Sequence, residues 1–480
     1  MERMGRMGRM GRTERRGSFR KALVLLGAAL VLGWPGGATA VEFDVAADTP
    51  LVVRSGEGTV IVRALVRPET ERRQERAPLA VALVLDKSGS MEADGKLEHA
   101  KIGALEALQV LDPRDMVTVV TYDSSVRVAV RPREVGQGAR DSRLTRAIRR
   151  LRPQGNTALY EGVLVAMEEL LPFAEEGYIP RLVLLSDGQA NVGPTSRGEI
   201  QALGRQCAQE GITLTTIGLG LDYNEDLMTA LASSSGGNAY FVHEPGMLPE
   251  IFGRDMKDAV SIVARRVRIK LRCPEGVHPV RSLGRTATAE EENSLEVTIE
   301  NLYGSGEKYA LFELKVSPDE GALSRDIATV ELSYVDPATG KELREERRLA
   351  VSFTDSEGEA LRARREEIVS QTALALNAEA REKVLELVDE GKAQEAQRLL
   401  HQRQQALAAM PPAPGSGMAP SWLSSEIDAL GFLEQSIASS GVLSSHARKQ
   451  ALNDAYVQKN QQAPVTTSPD VSPDVSPDRR

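Results

Sequence analysis

The chain has 480 residues, 41% hydrophobic, 26% charged and 4% aromatic, enough for about three domains with cores of their own at roughly 150 residues each. Its formal charge is −9, and since residues 1–40 carry +6, the other 440 carry −15. A body that acidic and that poor in aromatic rings is unsuited to phosphate backbones and stacked bases, so no nucleic-acid partner is expected.

The chain opens on a basic stretch with Met1, Met4, Met7 and Met10 at every third residue. The apolar run Ala22–Gly33 follows, then Pro35-Gly36-Gly37 and Ala38-Thr39-Ala40. That layout is a secretory signal peptide, so residues 1–40 are expected to be cleaved near Ala40 and the mature protein to be periplasmic or extracellular. The run falls short of the roughly 20 residues a bilayer span needs, and no later segment comes closer, so no transmembrane span is expected in the mature chain. Cys207 and Cys273 are the only cysteines. One bridge between them is compatible with export, and two buried thiols are the alternative.

Short strands, Leu51–Arg54 and Thr59–Val66, are expected within 41–78. From Leu79 to Val263 the pattern changes to continuous apolar runs alternating with amphipathic stretches, as in a parallel sheet covered on both faces by helices. The strands are Leu79–Leu85, Met116–Tyr122, Leu182–Leu185, Ile212–Ile217 and Ala239–Val242, with Val126–Val130 as an antiparallel edge. Ala158–Leu171 has helical spacing, with Leu159, Val163, Met167 and Leu170 on one face. Between 264 and 355, residues such as Val267, Ile269 and Leu271 alternate with Arg266, Arg268, Lys270 and Arg272. Period-two alternation predicts strands with one wet face, hence an antiparallel sandwich into which the doubly wound α/β domain (79–263) is inserted. Helices are expected over Glu357–Asp389 and Lys392–Ala409, with Gly391 ending the first. A linker (411–423), a helical segment (424–460) and a disordered SPD-repeat tail (461–480) complete the chain.

Three loops carry the chemistry. Asp86-Lys87-Ser88-Gly89-Ser90 follows the first buried strand, Gly155-Asn156-Thr157 precedes the helix from Ala158, and Ser186-Asp187-Gly188 closes another strand. In an open parallel sheet, ligands bind beyond the carboxyl ends of the strands where the winding reverses, and all three loops belong to that rim. Together they offer two carboxylates (Asp86, Asp187) and three hydroxyls (Ser88, Ser90, Thr157), a hard all-oxygen set suited to Mg²⁺ or Mn²⁺. Zinc would require sulfur or nitrogen, and the five histidines are scattered. The alternative is that both aspartates merely cap the helices that follow. Asp123 is expected to be a turn residue, with a role near the metal as the alternative. Lys87 is expected to point into solvent rather than to steer a partner.

These three motifs, in this order, resemble the von Willebrand factor type A domain with its metal-ion-dependent adhesion site, over about Leu79–Val263. The resemblance implies that Ser88, Ser90 and Thr157 coordinate Mg²⁺ (or Mn²⁺ or Ca²⁺) directly, and Asp86 and Asp187 directly or through water. It also implies a protein partner whose acidic residue completes the metal's shell. The arrangement outside this domain is similar to bacterial exported calcium-activated chloride channel homologues, although a chain without a spanning segment cannot form a channel by itself. The expected function is therefore an exported, metal-dependent protein-binding module and not an enzyme. G-x-S-x-G, a P-loop and D-x-D are all absent, position 88 being Ser. A metal-dependent hydrolase and a purely structural metal site are the alternatives.

Overall fold

The computed structural model describes residues 40–69, 76–136, 142–289, 291–317, 321–410 and 421–462. The expected signal peptide up to Thr39, the Pro/Gly/Ser stretch 411–420 and the tail from 463 lie outside the described residues.

Strands β1 (Val41–Ala47), β2 (Leu51–Val53) and β3 (Gly58–Pro68) come first. The α/β domain then runs β4 (Leu79–Asp86), α1 (Lys96–Val110), β5 (Met116–Tyr122), β6 (Val126–Glu134), α2 (Ser142–Arg149), α3 (Leu159–Glu175) and β7 (Ile179–Ser186). It continues through α4 (Arg197–Gln209), β8 (Thr213–Leu219), α5 (Glu225–Ser235), β9 (Ala239–Val242) and α6 (Leu248–Val260). Six strands follow: β10 (Ile262–Arg272), β11 (Val277–Leu283), β12 (Ser294–Tyr303), β13 (Lys308–Val316), β14 (Ser324–Val335) and β15 (Glu342–Thr354). The helices α7 (Glu357–Arg362), α8 (Glu366–Asp389), α9 (Ala393–Ala408), α10 (Ser421–Ser440) and α11 (Ser445–Asn460) close the described chain.

The α/β sheet has the order β6-β5-β4-β7-β8-β9 and is parallel except for the β5–β6 pair. Every residue of β4 and β7 is buried, which explains the unbroken apolar runs Leu79–Leu85 and Leu182–Leu185 within them. On one face Leu79, Val81, Leu83 and Leu85 pack under α1, α2 and α6; on the other Ala80, Ala82 and Val84 pack under α3, α4 and α5. Each fully buried Leu or Val there contributes about 1.5–3 kcal/mol. The chain winds from β4 to β5 in one direction and then to β7 on the other side, so the sheet's crevice opens at the carboxyl ends of β4 and β7.

The two flanking sheets, β1-β3-β13-β11 and β12-β10-β14-β15-β2, draw strands from both sides of the α/β domain. Their inner faces meet in one core, with Val60, Val62 and Val66 of β3 against Val267, Ile269 and Leu271 of β10. The alternation read in the sequence is the observed register: Val267, Ile269 and Leu271 pair with Ile299, Val297 and Leu295. Strands β1 and β11 are additions to the sequence reading. Pro279 sits within β11, an edge strand with an irregularity between Pro279 and Arg281, where a residue without an N–H is tolerated.

The single helix expected over Glu357–Asp389 is two. It breaks where Arg365 takes an extended conformation and donates its backbone N–H to the Asp48 carbonyl at 2.7 Å. Gly391 does end α8, with φ +75°, a conformation that only glycine adopts without strain. Helices α8, α9, α10 and α11 share a core of Val384, Leu385, Leu400, Leu430, Leu433 and Ala451. Ile368 and Ala375 of α8 lie on Ile61, Leu283 and Leu311 of the sandwich. Helix α11 reaches the α/β domain, where Lys449 donates to the Tyr223 carbonyl at 2.7 Å and Tyr456 to that of Gly237 at 2.5 Å. Among the described residues no helix is long and apolar enough to cross a membrane. Cys207 and Cys273 are both unbridged thiols, Cys207 lying against the Met167 sulfur.

Candidate metal centre

Asp86 ends β4 and Asp187 directly follows β7, so the two central strands deliver both carboxylates to the crevice, each fully buried. The Asp86 carboxylate accepts the Ser88 backbone N–H at 2.8 Å and the Ser186 hydroxyl at 2.9 Å, which ties the first loop to the third. The Ser88 and Ser90 hydroxyls lie 3.0 Å apart, and the Ser90 hydroxyl donates to Asp187 at 2.6 Å. The second loop is pinned by Gly89 N–H to the Gly155 carbonyl at 3.0 Å, and by Thr157 N–H to the Asn191 side chain at 2.9 Å. Gly188 closes the ring: a Cβ there would sit 3.5 Å from both the Ser90 Oγ and the Thr157 Oγ1. All five residues singled out in the sequence therefore meet at one point, Ser90 exposed at its mouth and Ser88 and Thr157 buried. Helix capping does not explain the aspartates, because the N-caps of α1 and α4 are Gly95 and Ser196.

Two lysines take part in the rim, one of them against expectation. Lys87 does not project into solvent; its ammonium pairs with the buried Asp123 carboxylate, which also accepts from Gln154 at 2.9 Å. Asp123 is thus a brace for the rim. Burial opposes its charge, but the hydrogen bonds from Lys87, Gln154 and Ser125 hold its carboxyl well below the usual range. Lys96, the first residue of α1, is buried and donates to the second oxygen of Asp187 at 2.9 Å. Sequence reasoning missed Lys96, Ser186 and Asn191. Ser186 lies inside a quoted motif, but a lysine opening an amphipathic helix carries no mark of which way it turns.

The doubly wound sheet with this rim corresponds to a known family. Residues 80–254 match the model of the von Willebrand factor type A domain. These residues are a von Willebrand factor type A domain. The fold extends further: a von Willebrand factor type A protein from Catenulispora acidiphila superposes with TM-score 0.60 at 16% identity, covering 83% of this chain and 98% of that one. An uncharacterised protein of Synechocystis sp. is 25% identical over 291 residues, 58% of this chain and 67% of its own. Calcium-activated chloride channel regulator 1 of Bos taurus is 25% identical over 195 residues, and that stretch is only 20% of the bovine protein.

The donor set of the type A domain fits a small hard cation. It is all oxygen, mostly neutral hydroxyl, and gathered around a glycine that leaves the space open. Burial pushes the Asp86 carboxyl up to about 6, with the neighbouring Asp187 charge adding to the rise against hydrogen bonds from Ser88 and Ser186. A carboxyl whose folded pKa is raised stabilises the fold while protonated and loses that contribution as pH climbs through about 6. Ionised Asp86 therefore costs the metal-free fold on the order of 3 kcal/mol at neutral pH. Without metal, the melting temperature of Asp86→Asn is expected to rise relative to wild type between pH 4 and pH 7. Excess Mg²⁺ should narrow that gap by stabilising wild type alone; a pH-independent gap would refute the assignment.

Lys96 sets the charge of the same site. Its ammonium leaves the two-aspartate cluster with a net −1, which weakens attraction for a divalent ion. Lys96→Met is expected to tighten Mg²⁺ binding about tenfold, the size of a partly screened charge–charge term, while lowering the melting temperature of the metal-free protein. Calorimetric titration with Mg²⁺ reads the first effect and thermal unfolding in EDTA the second.

Proposed function

We propose that this protein is an exported binding module whose type A domain holds Mg²⁺ (or Mn²⁺ or Ca²⁺) and offers it to an acidic residue of a protein partner, without catalysing a reaction. Ser88, Ser90 and Thr157 would bind the ion directly, and Asp86 and Asp187 directly or through water. With three of five donors uncharged, the ion keeps its electrophilicity and an incoming carboxylate completes its shell. The observation that carries this reading is the convergence of the three loops on the Gly188 gap, with Ser90 open to solvent. Export is supported by the signal-peptide layout of residues 1–40, and the resemblance to exported chloride-channel homologues belongs to the same proposal.

The Lys96–Asp187 ion pair favours a second reading, in which the rim is held by protein charges and metal adds only rigidity. Partner capture from an envelope extract in Mg²⁺ and in EDTA separates the two. Binding lost in EDTA supports the bridge; binding and its strength unchanged in EDTA leave the structural reading.

A further inference from the structure

Nine arginines fall between Arg127 and Arg152, against only Glu134 and Asp141. This stretch carries +7, whereas the rest of the chain from residue 41 carries −22. Helix α2 buries Leu144 and Ile148 in the core shared with α1 and turns Arg146 and Arg149 outward, and Arg150 and Arg152 are exposed directly after it. None of these four guanidiniums forms an ion pair among the described residues; that of Arg152 donates only to the carbonyls of Leu151 and Arg149. By contrast Arg63, Arg76, Arg181, Arg381 and Arg448 each meet a carboxylate. A cation in the last turn of a helix is favoured by the backbone dipole, which accounts for Arg146 and Arg149 but not for Arg150 and Arg152 beyond the helix.

The place of the cluster is what gives it meaning. From Arg152 the chain runs into the second loop of the metal rim, where Gln154 N–H donates to the Lys87 carbonyl at 2.7 Å and Gly155 holds Gly89. At about 3.6 Å per residue at most, the Cα of Arg152 is within about 11 Å of that of Gly155, and the Cα of Arg150 within about 18 Å. Five or six residues of an extended partner cover the same distance.

We infer that the Arg146–Arg152 surface is a docking site for an acidic segment of a partner protein, laid beside the metal rim. This rests on the function proposed above and names the partner's character. One carboxylate of the segment meets the ion, and its neighbours are received by guanidinium forks, which match a carboxylate through two parallel hydrogen bonds. The surface also removes a difficulty. Residues 41–480, at net −15, repel an acidic partner at long range, but within a Debye length of about 8 Å the exposed guanidiniums of Arg146, Arg149, Arg150 and Arg152 attract it.

The test uses a fluorescein-labelled peptide of alternating Glu and Gly, titrated in Mg²⁺ against the wild-type protein and a variant carrying Arg146→Gln, Arg149→Gln, Arg150→Gln and Arg152→Gln. Wild type is expected to bind with an affinity that falls as salt is raised, and the variant at least about tenfold more weakly. An unchanged melting-temperature shift with Mg²⁺ shows that the variant's rim is intact. Equal peptide affinity of the two proteins overturns the inference. Phosphatidylglycerol vesicles and a DNA oligonucleotide form two further arms, and tighter binding of either through the same arginines overturns the choice of a protein segment. Peptide binding that needs the arginines but survives EDTA upholds the surface and removes the metal bridge. Binding that needs metal but not the arginines does the reverse.

Discussion

Replacing Asp187 by alanine is expected to abolish the Mg²⁺-dependent rise in melting temperature and the capture of an acidic partner. Asp187 is fully buried and joins the Ser90 hydroxyl to Lys96, so its removal acts in two ways. It takes away one of the two negative charges facing the ion and releases the Ser90 hydroxyl from the acceptor that orients its lone pairs inward. Loss of an orienting partner alone costs a metal site roughly 10–100-fold in affinity; loss of the charge adds to that. It also leaves the Lys96 ammonium buried without a carboxylate, which destabilises the fold. The double variant Asp187→Ala/Lys96→Met separates these effects: its melting temperature in EDTA should recover toward wild type while Mg²⁺ still produces no shift. A double variant that responds to Mg²⁺ as wild type does would remove Asp187 from the metal site.

The largest loss of stability is expected from a residue remote from the rim. Arg181 of β7 is 1% exposed and grips Asp255 of α6 with two bonds, at 2.6 and 3.1 Å. Thr215 and Asn238 donate to the same carboxylate, and Arg181 also reaches the Tyr303 hydroxyl on β12 at 3.3 Å. Burial works against the guanidinium's charge, but the attraction of Asp255 outweighs it and raises the Arg181 pKa. Asp255→Ala strands that cation in the interior and should cost about 3–5 kcal/mol, read as a lower midpoint in urea unfolding. Asp255→Ala/Arg181→Met should restore most of it, because the penalty lies in the orphaned charge rather than in the lost pair. Because Tyr303 belongs to the sandwich, the single variant should also loosen the seam between sandwich and α/β domain, seen as faster amide exchange in β12.

What was legible in the sequence follows from what burial does to composition. Strands covered on both faces are mostly apolar, so β4 and β5 stood out almost to the residue, while the buried Arg181 masked the start of β7; one-sided strands such as β10 declared themselves by alternation. The metal rim was legible because its five donors lie on short loops at strand ends, where local motifs survive intact. Lys96 was not, since its role depends on α1 curling back over Asp187, a tertiary fact with no local signature. Lys87 was misread for the same reason: its partner Asp123 lies in the loop that follows a different strand, β5. The break between α7 and α8 was equally hidden, because the group that fixes it is a carbonyl more than three hundred residues away, at Asp48.

The insertion of the α/β domain into the sandwich gives the molecule a mechanical character. The chain enters that domain through β4 and leaves it through α6, both at the end opposite the rim, and the neighbouring strands β3 and β10 are interior members of different sheets. A pull on a ligand held at the rim is therefore shared between two covalent tethers, each anchored by hydrogen bonds on both flanks. Neither tether is anchored on an edge strand; each is held by hydrogen-bonded ladders on both sides, so traction meets more resistance in the protein than at a single bridged contact with the ligand.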